Sequence, residues 1–341
     1  MERSWRVAVV GATGLVGRDV LVALAEAGHP DTQVTALASE RSVGAEAAYG
    51  HTSLEVDAAS AESLRGHELV LLAVPAEVAR SLAPAAQKAG AWVVDTSRAF
   101  LSDLSVPLAA AGFRGDGLER PFSGRMVRVP GPVALGLLRT VEPLRAAFGV
   151  TEAHVTALLG AASAGARGLT ELEQTTAQLL SGRELEPTHF PHRLAFNLVP
   201  QVGPFSEASG GTLEELSWRA EATLLWGAGA PHVDGTAVLV PVFHGALLAL
   251  HVALAKPATP AEVREVLRTA RGLKVLDVPA ERVYPMPMLV ATDPAILVGR
   301  VRASAGRPDA LELVVAVDGP AVVARAALEA GERLIARALT N

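Results

Sequence analysis

The sequence predicts an α/β protein of two domains: a doubly wound N-terminal domain and a second domain of α+β type. Three observations predict this. Short apolar runs alternate with helically spaced segments up to about residue 100, a glycine-rich turn joins the first run to the first helix, and the rhythm changes past about residue 130. Such alternation is how a parallel sheet covered by helices reads in sequence. A length of 341 residues suits two domains of ordinary size. Half of the residues are hydrophobic and only 4% are aromatic, so the core is built mainly of Ala, Val and Leu.

In chain order, Arg6 to Val10 is a short apolar strand, followed at once by Gly11-Ala-Thr-Gly14-Leu-Val-Gly17. Arg18 to Ala27 then carries Val20, Leu21, Leu24 and Ala25 at helical spacing, and Gly28-His29-Pro30 stops it. Gln33 to Ala38 reads as a second strand. Glu68 to Val74 is a continuous apolar run, as expected of a strand buried on both faces. A helix over 77–89 and a strand over 91–95 continue the alternation. Beyond it, Val150 to Leu159 reads as a strand and Leu169 to Ser181 as a helix ended by Gly182. An irregular Pro-rich stretch over 186–211 precedes a helix over 212–226. Long strands are expected over 232–254 and 313–318, paired antiparallel, with a helix over 259–270 between them. Ala321 to Leu339 is an amphipathic helix able to pack back on the first domain.

Charge and composition exclude several function classes. A net charge of -6 and no basic block argue against nucleic acid or an acidic membrane as partner. No apolar run reaches the ~18 residues of a membrane span. Met1-Glu2-Arg3-Ser4-Trp5 runs straight into VAVVG without an apolar leader, so a cytoplasmic soluble protein is expected. With no cysteine in the chain, disulfides, thiolate metal sites and thiol nucleophiles are all excluded, and no metal site is expected.

A strand, glycines at 11, 14 and 17, then a helix is the arrangement a dinucleotide pyrophosphate requires. Glycines permit a tight turn and close backbone approach, while the helix N-terminus offers N–H groups and a positive dipole end. Gly11, Thr13, Gly14, Leu15, Val16 and Gly17 are therefore assigned to the cofactor. At the end of the second strand, Ser39, Arg41 and Ser42 place a cation and two hydroxyls where a 2′-phosphate would lie, favouring NADP over NAD; Glu40 beside them is the opposing signal.

The segments GATGLVG (11–17), ASERSVG (38–44), DTSRAF (95–100), SAGARGLTELEQ (163–174), AFNLVPQVGPF (195–205), TLEEL (212–216), VLVPVFHG (238–245) and VGRVR (298–302) together resemble the aspartate-semialdehyde dehydrogenases, in that order and over nearly the whole chain. The resemblance implies an NADP-binding Rossmann domain over 1–130 and 320–341, and a substrate and dimerisation domain over 131–319, assembled as a homodimer. It also implies phosphorylating aldehyde oxidation, in which a Cys thiolate attacks the aldehyde, hydride leaves to NADP, and phosphate cleaves the thioester.

At the positions that carry this chemistry the sequence departs from the family. The stretch matching the nucleophile is Val129-Pro130-Gly131-Pro132-Val133, with Pro132 in the place of the cysteine. Gly160 replaces the substrate-orienting Gln, Leu239 the carboxylate-binding Arg, and Ala246 the general-base His. Leu101 replaces a phosphate-binding Arg, although Arg98 lies in the same loop, and Ser217 replaces a Lys. Glu215 matches the family's substrate-side glutamate; without its arginine partner it reads as a surface helix residue. His244 falls two residues before the base position, which in a strand keeps the face but moves the side chain about 7 Å.

Losing a transition-state donor costs about 10²–10³ in rate, and losing acid–base catalysis about 10²–10⁴. The parental reaction is therefore expected to be undetectable. This pattern resembles the cysteine-lacking, Usg-type branch of the family. Three readings follow. The first is a non-catalytic NADP-binding dimer serving as scaffold or sensor, with a small apolar ligand or a protein as partner. The second is a thiol-independent NADPH-dependent reductase of an apolar carbonyl compound. It would use a pocket lined by Leu101, Gly160, Leu239 and Ala246, with His189, His192 or His244 as proton donor. The third is an active aspartate-semialdehyde dehydrogenase of amino-acid biosynthesis, as the family implies.

Overall fold

A computed structural model describes residues 5–183, 185–291 and 295–340. The chain divides into two compact units, Met1–Gly131 with Val323–Asn341, and Pro132–Val322.

The first unit is a seven-stranded sheet in the order β3-β4-β2-β1-β5-β6-β7. Its elements are β1 (Val7–Val10), α1 (Leu15–Glu26), β2 (Val34–Ala38), β3 (Glu46–Tyr49), β4 (Thr52–Ala58), β5 (Leu69–Leu72), α2 (Ala76–Lys88), β6 (Trp92–Asp95) and β7 (Met126–Arg128). All neighbours pair parallel except β3 with β4. Every residue of β1 and β5 is 0% exposed, as their unbroken apolar runs require of central strands covered on both faces. β3, β4 and β7 are additions to the sequence-based expectation.

A long helix, α8 (Gly319–Thr340), returns to this unit, where Gly331 lets it close on β5: a Cβ there would meet Leu69 Cδ2 at 2.6 Å. Arg333 fastens the same helix. Its guanidinium donates to Asp116 and to Glu119 Oε1 (2.6 Å), while Arg337 Nη1 donates to the carbonyls of Leu118 and Arg120. Asp116 is buried, so removing its cation strands a charge that water cannot reach. Arg333→Ala is expected to destabilise the protein by about 3 kcal/mol. Urea unfolding checks this, and a loss below about 1 kcal/mol, the range of exposed pairs, would contradict it.

The second unit contains α3 (Pro132–Phe148), β8 (Val150–Leu159), α4 (Gly165–Leu180), α5 (Leu213–Trp226), β9 (His232–Leu239), β10 (Ala246–Leu254), α6 (Pro260–Arg268), β11 (Leu273–Val275), α7 (Pro287–Val290), β12 (Ile296–Ser304) and β13 (Arg307–Val317). Its six-stranded sheet has the order β11-β12-β13-β10-β8-β9. Pairing is mixed rather than antiparallel throughout: β8–β9 and β11–β12 run parallel. The single strand expected over 232–254 breaks in two. Pro241 has no N–H for a ladder and Gly245 adopts φ +79°, so residues 240–245 leave the sheet as a bend. The strand expected over 313–318 begins earlier, at Arg307. The helix α3, absent from the sequence-based expectation, packs its buried face on β8, β10 and β13. Gly136 allows this approach, since a Cβ there would lie 2.9 Å from Val317 Cγ1. Among the described residues, no helix is long and apolar enough to cross a membrane.

Candidate dinucleotide site and the positions the resemblance assigns to catalysis

The glycine loop leaves the carboxyl end of β1, whose two neighbours in the sheet are β2 and β5. The sheet order reverses here, and this is where a doubly wound sheet opens a crevice for ligands. Gly11 has φ +90°, and a Cβ on it would meet Ala73 O at 2.2 Å; its N–H donates to Leu37 O (2.7 Å). The loop is thus tied to the ends of both neighbouring strands. Gly17 lies in the first turn of α1, where a Cβ would meet Gly11 O at 2.0 Å. Gly14 caps α1 in an extended conformation with no side-chain hydrogen bond to the helix. The first-turn N–H groups of an α-helix have no intrahelical partner and suit an anion.

Thr13 Oγ1 lies 3.5 Å from Ser42 Oγ, which brings the glycine loop and the turn after β2 together. Ser39 precedes that turn, and both Ser39 and Arg41 are exposed. Leu15 and Val16 are half-buried at the start of α1. These residues fit a dinucleotide: glycines where a Cβ would clash, an uncapped helix start, and a cation with hydroxyls at the end of β2.

The DTSRAF segment follows β6 on the same edge of this sheet. Asp95 is fully buried, and its Oδ1 accepts from Ser97 N (3.1 Å) and Ser97 Oγ (2.5 Å). Burial pushes the Asp95 carboxyl above the usual carboxylate range; the Ser97 hydrogen bonds and the Arg128 charge oppose this without reversing it. Thr96 Oγ1 donates to Leu72 O and ties the loop to β5. Arg98 adopts φ +65°, with its guanidinium 3.6–3.8 Å from the place a Cβ of Gly131 would take. Leu101 is half-buried in the turn that follows.

In the second unit, Pro132 is the first residue of α3, where a fixed φ and a missing N–H carry no penalty. Gly160, Leu239 and Ala246 meet at one end of the sheet: Leu159 pairs with both Leu239 and Ala246. The backbone has closed over Gly160. Its N–H donates to Gly245 O, Ala161 N–H to Val242 O, and Ala162 N–H to Phe243 O. A Cβ on Gly160 would lie 2.8 Å from Val242 O and 2.9 Å from Gly245 O. Leu239 and Ala246 are buried, and Ser217 is buried with its hydroxyl donating to Glu214 O (2.6 Å).

Two sequence-based expectations need correction. His244 lies in the exposed bend between β9 and β10, so the strand argument placing it about 7 Å from the base position does not apply. Glu215 is a tether and not merely a surface helix residue. Its Oε2 accepts from Thr212 N in a capping box, and its Oε1 accepts from Ala237 N on β9 (2.8 Å).

Leu239 lines a cavity of about 560 Å³ whose walls also include Ser163, His189, Phe190, Gln201 and Glu214. Gly160 and Ala246 are not among its lining residues, and the lining is mixed, with Pro191, Val202 and Pro204 completing its apolar part. His189 and His192 are exposed, and His189 Nε2 pairs with Ala164 O (3.1 Å). Sequence reasoning missed Glu171, a buried carboxylate on α4. It accepts from Thr188 N, Thr188 Oγ1, His189 N and Phe190 N, and so organises the irregular segment beside the cavity. Burial opposes its charge, but these four hydrogen bonds outweigh burial and hold the carboxyl below its usual range. The partners lie 17–19 residues downstream, which no local pattern signals. Among the described residues, no cluster of three or more His, Asp or Glu is placed to hold a metal ion.

Comparison with known proteins agrees with this geometry. The semialdehyde dehydrogenase NAD binding domain matches residues 6–120, and the semialdehyde dehydrogenase dimerisation domain matches residues 141–319. A USG-1 protein homolog from Pseudomonas aeruginosa is 33% identical over 319 residues, covering 93% of this chain and 94% of its own. Aspartate-semialdehyde dehydrogenase from Bacillus subtilis is 29% identical over 326 residues, 93% of each chain. The crystal structure of aspartate semialdehyde dehydrogenase II from Vibrio cholerae, complexed with ASA, superposes with a TM-score of 0.90 at 27% identity and covers 98% of both chains. With a glycine loop built for a dinucleotide in one unit, a mixed sheet in the other, and both domains of one family matched in order, this chain belongs to the semialdehyde dehydrogenase family.

Proposed function

We propose that the chain is an NADP-binding homodimer, related to the aspartate-semialdehyde dehydrogenases, that does not perform their thiol-dependent chemistry. One observation carries this reading: there is no cysteine among 341 residues, so no side chain can form the thioester that phosphate must cleave. The surroundings support it. Pro132 offers no nucleophilic atom, the carbonyls of Val242 and Gly245 fill the space a side chain at Gly160 would need, and Leu239 and Ala246 offer neither a cation nor a base. The dinucleotide loop, in contrast, retains every glycine its close contacts demand. Arg41 with Ser39 and Ser42 favours the 2′-phosphorylated cofactor. When bound, the cofactor would supply a hydride donor or acceptor; the residues named here bind and orient it.

The test pairs binding with turnover. NADP(H) is expected to raise the thermal midpoint saturably, since a ligand at a hundredfold its Kd contributes about 2.7 kcal/mol to the folded state. The same preparation, given aspartate semialdehyde, phosphate and NADP, is expected to form no NADPH. Turnover that survives rigorous removal of contaminating dehydrogenase would overturn the proposal. Absence of any midpoint shift at millimolar cofactor would remove its NADP-binding half.

A further inference from the structure

A second cavity of the second unit, about 420 Å³, lies between α4 and the irregular segment that follows it. Six polar side chains line it: Arg167, Thr170, Glu171 and Gln174 on α4, and Thr188 and His189 from the segment. Residues three, four and seven apart share one face of a helix, so the four from α4 form a single polar stripe. Arg167 and Glu171 stand four apart, a spacing at which opposite charges on a helix can pair. They do not pair here. Glu171 Oε2 accepts from Thr188 N (2.7 Å), Thr188 Oγ1 (2.8 Å) and His189 N (2.6 Å), and its Oε1 from Phe190 N (3.1 Å). Among the described residues, no hydrogen bond or ion pair holds the side chains of Arg167, Thr170 or Gln174, and all three are exposed. His189 lines this cavity and the larger one, with its Nε2 donating to Ala164 O (3.1 Å).

We propose that this cavity binds a small hydroxylated oxyanion, a carboxylate or phosphate on a short polyol, with Arg167 holding the anionic group. A guanidinium presents a planar fork that matches the two oxygens of a carboxylate or phosphate. The Thr170 hydroxyl and the Gln174 amide each offer both donors and acceptors, which suits hydroxyl groups on the ligand. Thr188 Oγ1 spends its proton on Glu171 and so presents lone pairs for a ligand hydroxyl. Other ligand classes fit less well. An apolar molecule would take water from these polar groups and return no hydrogen bond. A cation would meet the Arg167 charge, and would find the Glu171 carboxylate already accepting from four donors. The volume lies within the ~300–1,000 Å³ typical of small-molecule sites. Every lining residue belongs to the second unit and the glycine loop to the first, so no residue is shared with the dinucleotide loop.

The experiment is a thermal-shift titration of the full chain at constant ionic strength. Glycerol 3-phosphate and glycerate are the probes, and glycerol is the uncharged control. At least one of the two anions is expected to raise the midpoint saturably at millimolar concentration, and comparing them tells a phosphate headgroup from a carboxylate. Glycerol should give no saturable shift. R167Q is expected to weaken the responding anion at least about tenfold, and R167K less, because an ammonium keeps the charge without the fork. Arg167 is exposed, so the midpoint of R167Q without ligand should match the wild type. The same variant should keep the NADPH shift. No saturable shift with either anion, or one that R167Q leaves unchanged, would overturn the site. Loss of the NADPH response in R167Q would also overturn it, by assigning Arg167 to the cofactor. Should NADPH give no shift in the wild type, the NADP reading falls while the anion titration still decides this site.

Discussion

Gly17→Val is expected to abolish cofactor binding and to lower the thermal midpoint by about 6–12 °C, the consequence of roughly 3 kcal/mol in a domain of this size. The reason is the absence of slack around the glycine loop. A Cβ at residue 17 would sit 2.0 Å from Gly11 O, 2.6 Å from Gly11 C and 2.9 Å from Ala12 Cα, all backbone atoms that no rotamer change can clear. Gly11 cannot retreat. Its own N–H is bonded to Leu37 O, and its Cα faces Ala73 O so closely that it too tolerates no Cβ. The clash must therefore push α1 away from β1, which removes the helix start from the place where a pyrophosphate would meet it. Thermal denaturation with and without NADPH reads both effects at once. A contrast lies at the other end of the same helix: Gly28, unlike Gly17, has positive φ, at +77°, but nothing stands within 4 Å of a Cβ there. Gly28→Ala should cost only its backbone strain, about 1 kcal/mol, and keep the cofactor shift. A Gly17→Val protein with a wild-type midpoint and a normal NADPH response would refute this account of the loop.

The same residues show why some parts of the fold were legible in the sequence and others were not. The run VAVVG before GATGLVG, the apolar stretch before Pro75, and AWVVD all announce central parallel strands, because burial on both faces leaves no room for polar alternation. The strands β3 and β4 were missed for the complementary reason. β3 is the edge strand and β4 lies beside it, and only three of their eleven residues are buried, so EAAY and TSLEVDA give no continuous apolar run. Helix α3 was hidden by its prolines: Pro132 opens it and Pro143 sits inside it, and both read as breakers unless the helix start is already known. Which positions correspond to the family's catalytic residues came from resemblance alone. Their physical state did not, because it depends on contacts between segments about 80 residues apart. Gly160 illustrates this, since the carbonyls of Val242 and Gly245 that crowd it are invisible until the bend after β9 is set against the end of β8.

Among the positions that the resemblance assigns to catalysis, residue 160 is expected to be the least able to take a side chain. Gly160→Gln should destabilise the protein by about 3 kcal/mol or more, a larger penalty than overpacking an ordinary core position. Three carbonyl oxygens converge on the missing Cβ, those of Val242 at 2.8 Å, Gly245 at 2.9 Å and Phe243 at 3.3 Å. The same three oxygens accept the N–H groups of Ala161, Gly160 and Ala162, so the bend and the turn hold each other in register. A glutamine would have to displace the bend, and each hydrogen bond lost in doing so would leave a buried donor and acceptor without partners. The bend also joins β9 to β10 and therefore sits directly between Leu239 and Ala246, two more of the positions that the resemblance assigns to the family's substrate chemistry. Substitutions at 239 and 246 act on strand ends whose spacing the closed bend now sets. A thiol introduced alone, as Pro132→Cys, would stand in a unit where Gly160 has no room for a side chain. Urea unfolding of Gly160→Gln and Gly160→Ala separates the causes. If contact at Cβ is the obstacle, alanine should already incur most of the loss; if only the length of glutamine matters, alanine should be nearly silent. A Gly160→Gln protein as stable as the parent would mean that the bend is loose and that residue 160 has room for a side chain.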